Sequence, residues 1–453
     1  MNFSSGDWYY EHIYYSTLKQ SLQTGQMPYH LSAPPDGRRS DRFLGLPNVL
    51  LSPQFVFLKW LPIPVFTLVN VLLLYSIGYL GCLSIRRRYQ LAIGPFAFLF
   101  LLFNFNGFIT AHLGIGHAHF QGYFLLSWYV LLILQMIENP NRYATPLAFP
   151  LVLAGIAYQG SFHIYVWCCA FLLAVGLCNL RYIRQVSLAL LLSAITCSCR
   201  ILPAMIALYG FKDFFHPGYA DIRELIDAMT LIRDPTYSDF PPQGTHNSWA
   251  EIDMYIGVAG FLIILYFGIC VRLQRGLWQR NQVVKKQEGH QRLEYEDLDL
   301  PLAGVTLMSF GYLQFLIYTL PLPFVGAQRV PTRFFILPLV LLIVIASIRL
   351  NRLLPSMVTT VKRKVIAALT LLQVALTLGY HSLMWRLGRL EMGVNAPQFP
   401  TNLQIVQRYD PLYVSVVNAT LVLSTVTLVI LTLLTAYYSA QDRKLERLAP
   451  QYA

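Results

Sequence analysis

The residues whose types and spacing could do chemistry stand at the start of the chain. The run Gly6-Asp7-Trp8-Tyr9-Tyr10-Glu11-His12 places two acids, a histidine and three aromatics ahead of the first apolar stretch. On a helix, Asp7 and Glu11 share one face, a turn apart. Trp8, Tyr15, Leu18 and Leu22 form another stripe, the pattern of a helix lying in a membrane interface. Carboxylates held at a membrane surface suit chemistry on a lipid-linked substrate. The plainer alternative is a solvated N-terminal helix.

Three histidines, His112, His117 and His119, fall within eight residues, with Gly114 and Gly116 between them. Glycine allows a tight backbone there. No acid is near in sequence, and His-x-His in a loop is a weak metal signal. Hydrogen bonding to a phosphate or sugar ranks first, helix-end capping second and zinc third. No cofactor is indicated. Arg329 and Arg333 lie four residues apart, just before an apolar stretch. Guanidinium groups suit bidentate phosphate binding, although interfacial arginines also snorkel. Glu251 and Asp253 open another apolar stretch, where carboxylates are costly unless they face a cavity or a partner. Interfacial solvation would account for Asp253. Arg200, just before Pro203, either pairs with an outer acid or snorkels.

The elements that must position these residues are membrane helices. The 453 residues are 55% hydrophobic and only 12% charged, with mean hydropathy +0.49. Soluble domains carry about twice that share of charge. Repeated apolar stretches of about 20 residues, long enough to cross a bilayer, account for the difference. The sequence predicts an all-α polytopic protein of about eleven spans: 62–83, 91–111, 120–137, 145–158, 164–178, 186–208, 252–271, 301–321, 334–350, 364–385 and 413–437. Period-two alternation is absent, which argues against a barrel. The fourth and fifth stretches are short enough for a broken or re-entrant pair, and Pro146 and Pro150 weaken the fourth. Residues 1–61 then form an outer-face segment with an interfacial helix, 62–437 the membrane domain and 438–453 a cytoplasmic tail.

With the N-terminal segment outside, inside segments hold 20 of the 34 Lys and Arg and outside segments 13, Arg200 being within a span. That agrees with the positive-inside rule. The net charge of +12 therefore marks orientation in the membrane and not nucleic-acid binding. Of ten histidines, only His290 falls in a cytoplasmic loop. The seven cysteines are scattered and have no metal-ligand spacing. The mixed-charge segment from Arg272 to Asp299 reads as a peripheral excursion.

The order of these elements resembles the GT-C superfamily of membrane glycosyltransferases, especially its large bacterial branch. The matching residues are Gly6-Asp7 before an aromatic-rich helix; Gly25-Gln26-Met27-Pro28; Gly116-His117 at a span start; Glu251 and Tyr255-Ile256-Gly257; and Arg329-Val330-Pro331-Thr332-Arg333-Phe334. The likeness runs over roughly residues 5 to 350. It implies an outer-face enzyme of the bacterial inner membrane that takes a sugar from a polyprenyl-phosphate donor. It also implies Asp7 as catalytic base, with Glu11 as rival, and Arg329 or Arg333 on the donor phosphate. His112, His117, His119 and Glu251 are the further candidates for substrate binding. The family carries a transmembrane helix before this loop, so either one more helix is expected upstream of Met1 or the first helix here is misread. A transporter or flippase, and a non-catalytic relative, are the competing readings.

Overall fold

The computed structural model describes residues 7–35, 40–209, 211, 216–233, 249–271, 295–313, 315, 319, 328–387 and 403–448. One region singled out in the sequence lies mostly outside them, the mixed-charge segment, of which residues 272–294 are not described. Helix dominates the rest. Among the described residues the one sheet is a two-stranded antiparallel pair, His30–Leu31 with Ile405–Val406.

Among the described residues, seven helices are long and apolar enough to cross a membrane, eight if one bent pair counts as a span. This is a polytopic helical membrane protein. The eleven apolar stretches all contain helix, but several are too short to qualify. Ala144–Tyr158 has 15 residues, and Ser198–Ala207 and Asp299–Met308 have 10 each. The break expected between the fourth and fifth stretches falls one place later. Phe162–Cys178 and Leu180–Thr196 meet at 117°. Pro146 does no damage because it sits in the first turn of its helix, where no backbone donor is needed. The same helix also continues through Pro150.

The spans differ in how far they are enclosed. Pro331–Pro355 is 78% buried, whereas Val361–Trp385 is 17% buried and presents apolar residues such as Leu369 and Leu376 outward. The first therefore packs at the centre and the second at the lipid boundary. Polar residues gather at the two ends of the bundle. One end holds Arg88 paired with Glu138 at 2.5 Å, Arg142 with Asp442 at 2.9 Å, and Arg181 with Asp297. It is the end that the positive-inside rule assigns to the cytoplasm. Asp297 also accepts from the Tyr182 hydroxyl, so the last part of the 272–299 segment is packed against the bundle and not peripheral.

The other end carries the N-terminal helix, Trp8–Thr24. Its apolar stripe does not rest on lipid. Tyr14, Tyr15 and Leu18 are buried within the protein, with Tyr14 against Phe43 and Tyr15 against Phe66. Arg200 takes neither of its expected roles. It is 1% exposed, and its Nη2 donates to the backbone oxygens of Leu46 (3.0 Å) and Pro47 (2.5 Å). Asp253 is not solvated but buried. Its carboxylate accepts from Trp385 Nε1 and the Tyr255 amide and is bonded to His381 Nε2, each at 2.8–2.9 Å. That knot fastens the outer end of Val361–Leu387 beneath Gly107–Ile115. Gly107 is the point of closest approach: a side-chain carbon there would lie 1.8 Å from Asp253 Oδ1. Gly107→Ala should therefore destabilise the protein by about 1–3 kcal/mol, the usual cost of overpacking. Thermal unfolding in detergent measures this, and an unchanged midpoint would show that the knot is loose.

Candidate functional site

At the end of the bundle away from the Arg88–Glu138 and Arg142–Asp442 pairs, helix ends and loops line a small cleft, partly open to solvent. Asp7, His117, His119, Arg329 and Arg333 line it, together with Pro47, Asn48, His163, Leu208 and Phe211.

Asp7 reaches the cleft because the N-terminal helix starts there. The Asp7 amide donates to Ile115 O at 3.1 Å, which docks the helix start on the turn after Gly107–Ile115. Gly116 makes the docking possible. Its φ is +103°, and a side-chain carbon would come within 2.3 Å of the Trp8 nitrogen. The Asp7 carboxylate, 46% exposed, meets His117 Nε2 at 2.7 Å. His117 Nδ1 in turn lies 2.8 Å from His112 Nδ1. Glu11, one turn along, is buried and bonded to His119 Nδ1 at 3.1 Å.

The cationic side comes from the start of the central span. Arg333 makes a bidentate pair with Glu251, its Nε and Nη2 each 2.5 Å from a carboxylate oxygen. Its guanidinium also sits 4.9 Å over the Phe120 ring. Arg329 contacts His216 Nε2 through Nη1 at 3.1 Å. Behind them, Gln328 Oε1 accepts from Trp167 Nε1 at 2.8 Å and lies 3.3 Å from His163 Nδ1.

The candidates drawn from the sequence thus meet at one place but not in one layer. Asp7, His117, His119, Arg329 and Arg333 face the cleft. Glu11, His112 and Glu251 stand behind it, each holding a residue that lines it. His163, His216, Phe120 and Asn48 are parts of the site that sequence reasoning did not pick out. His163 and His216 carried a weak signal, since both are among the outer-side histidines. Phe120 carried none, because an aromatic at a span start is ordinary.

Two acids a turn apart are pushed in opposite directions. Burial raises the carboxyl pKa of Asp7, but the adjacent His117 and the more distant Arg333 outweigh it, so the net shift is downward. Glu11 is held well above the usual carboxylate range, first by burial and then by the charge of Asp7. Asp7 is the ionised member of the pair and Glu11 the neutral one. Opposed environments of this kind separate acid and base roles. The Glu11–His119 contact is accordingly a hydrogen bond to a protonated acid and not an ion pair. Among the described residues no group of three or more His, Cys, Asp or Glu has metal-holding geometry.

No protein family, curated protein or solved structure matches the chain. The class follows from the fold alone: an integral membrane protein with a polar cleft at one end of its helices. Its chemistry has to be read from the cleft.

The two acids have opposite effects on stability. Asp7, lowered in the folded state, contributes stability above the ordinary aspartate value and loses it as pH falls through the lowered one. Glu11, raised in the folded state, loses stability as pH rises from the ordinary glutamate value through the raised one. Glu11→Gln cannot ionise, so its thermal midpoint should fall less than that of the wild type as pH rises above the ordinary glutamate value. Equal pH slopes in the two proteins would count against a protonated Glu11.

Proposed function

We propose that the chain is a glycosyltransferase that moves a sugar from a polyprenyl-phosphate donor to an acceptor hydroxyl at the outer face of a bacterial inner membrane. The observation that carries this reading is the pairing of an ionised carboxylate, Asp7, with two arginines and three imidazoles around one cleft at the membrane surface. The resemblance to the GT-C superfamily agrees with it.

The chemistry asks for little more. Asp7 takes the proton of the acceptor hydroxyl. The acceptor oxygen attacks the anomeric carbon from the side opposite the phosphate, and the bond from that carbon to the phosphate oxygen breaks. The configuration inverts. The phosphate departs with its charge, stabilised by Arg329 and by the unshared edge of Arg333. A lipid phosphate is already a good leaving group, so no second carboxylic acid is needed to protonate it, unlike glycoside hydrolysis. Glu11, neutral and buried, does not compete as a base. A transporter would place its ionisable groups near the bilayer midplane. Here the candidate groups sit at helix ends, which favours surface chemistry over transport.

Asp7→Asn keeps shape and hydrogen bonding but not the proton acceptor. Transfer should fall about 10²–10⁴-fold, with donor binding little changed. Glu11→Gln should retain transfer, because the amide resembles the protonated acid. Arg329→Ala should weaken donor binding as well as turnover, since the phosphate is held in ground and transition states alike. Transfer of labelled sugar from a polyprenyl-phosphate donor in proteoliposomes, with donor binding scored separately, measures all three. Near-normal transfer by Asp7→Asn would remove Asp7 as the base.

A further inference from the structure

His112 is the least explained of the three clustered histidines. It is fully buried, does not line the cleft and cannot touch a substrate there. Its ring is stacked on Phe120, centroids 4.3 Å apart and planes 8° from parallel, and meets the edge of Phe108 at 4.4 Å. Its Nδ1 is bonded to His117 Nδ1, and its Nε2 is buried with no hydrogen-bond partner among the described residues.

We infer that His112 is a positioning residue for Asp7, setting the tautomer of His117 so that an N–H and not a lone pair faces the carboxylate. This rests on the reading of Asp7 as the base. The argument is one of donors and acceptors. A neutral imidazole carries one N–H and one lone pair. The ionised Asp7 carboxylate only accepts, so His117 must carry its proton on Nε2 to make the 2.7 Å contact. With one proton on the His117 ring, its Nδ1 is a lone pair and the ring nitrogen 2.8 Å away, His112 Nδ1, must be the donor; a second proton on His117 would force the His112 N–H onto its unpartnered Nε2. His112 Nε2 is left as the lone pair, facing apolar surroundings. The opposite tautomer of His112 would bury an N–H without a partner. Unpartnered buried donors are rarer than unpartnered acceptors. The Phe120 and Phe108 rings hold the His112 plane, so the donor direction cannot drift. The titratable and charged groups around the pair are Asp7, His119, His163, Glu251 and Arg333.

The chain of bonds also ends at His112. A proton taken up by Asp7 has no onward acceptor beyond that ring. His112 therefore orients the base and does not carry its proton away.

The experiment compares His112→Phe, which keeps the stack but has no donor, with His112→Asn, whose amide nitrogen can occupy the Nδ1 position. His112→Phe should lower kcat about 10²-fold, the cost of misplacing a reacting group, with the donor KM unchanged. His112→Asn should recover most of the loss. In parallel, nitrogen-15 NMR of labelled wild-type protein should show His117 protonated on Nε2 and not on Nδ1. A raised donor KM with unchanged kcat would overturn the inference, since His112 would then be touching substrate. Equal loss in the Phe and Asn variants would also overturn it, leaving packing as the role. So would a wild-type His117 protonated on Nδ1, a result that does not depend on either variant folding. A wild type that transfers no sugar but shows the stated tautomers would support the positioning role and remove the glycosyltransferase reading.

Discussion

The hydrogen bond between Asp7 and His117 joins two parts of the chain that apolar packing alone would not bring into register. Asp7 begins a helix that crosses nothing, and His117 lies in the turn between two helices that qualify as spans. The bond holds only because the backbones on both sides come close enough, and Gly116 is what allows it. With the contact made, His117 favours the ionised form of Asp7, and that charge, after burial, helps raise the pKa of Glu11. The contact thus bears on both acids, although burial is the larger cause for Glu11.

The same economy runs through the rest of the outer rim. A charge removed from water is expensive unless it is paired and hydrogen-bonded. Arg333 is paired with Glu251 and backed by the Phe120 ring. Arg200 holds backbone oxygens of the loop at Leu46 and Pro47. Pro47 and its neighbour Asn48 are cleft residues, so Arg200 supports the wall from behind without entering it. Asp253 gathers His381, Trp385 and the Tyr255 amide. These buried polar groups do not form a path across the membrane. They pin helix ends and loops around the cleft, leaving its face to histidine, arginine and one carboxylate.

Phe120 connects the two halves of this arrangement. One ring lies against His112 and beneath the Arg333 guanidinium. It therefore fixes the orientation of the imidazole pair behind Asp7 and the position of the cation across from it. An apolar residue of this kind has no chemistry of its own, yet the spacing between a base and a phosphate-binding group depends on it. Proximity of reacting groups is worth many kcal/mol in catalysis, which is why a rigid spacer matters.

Much about this protein was legible in the order of its residues. Composition and apolar runs define a polytopic helical membrane protein, because a bilayer imposes length and hydropathy on any helix that crosses it. The presence of Asp7, Glu11, the three clustered histidines and Arg329 and Arg333 near span ends was equally visible. What the sequence could not decide was rank among them. Asp7 and Glu11 look alike as residues a turn apart, and only burial and the contact with His117 separate the ionised acid from the neutral one. His112, His117 and His119 look alike as a cluster. Only packing puts two at the cleft and one behind Phe120. The span count also needed the structure, since a bent pair and short apolar helices share the composition of full spans. Periodicity and hydropathy are local, so a chain can be read for them directly. Protonation and exposure depend on residues more than a hundred positions away, as Glu11 and His119 show, and those neighbours exist only once the chain has folded.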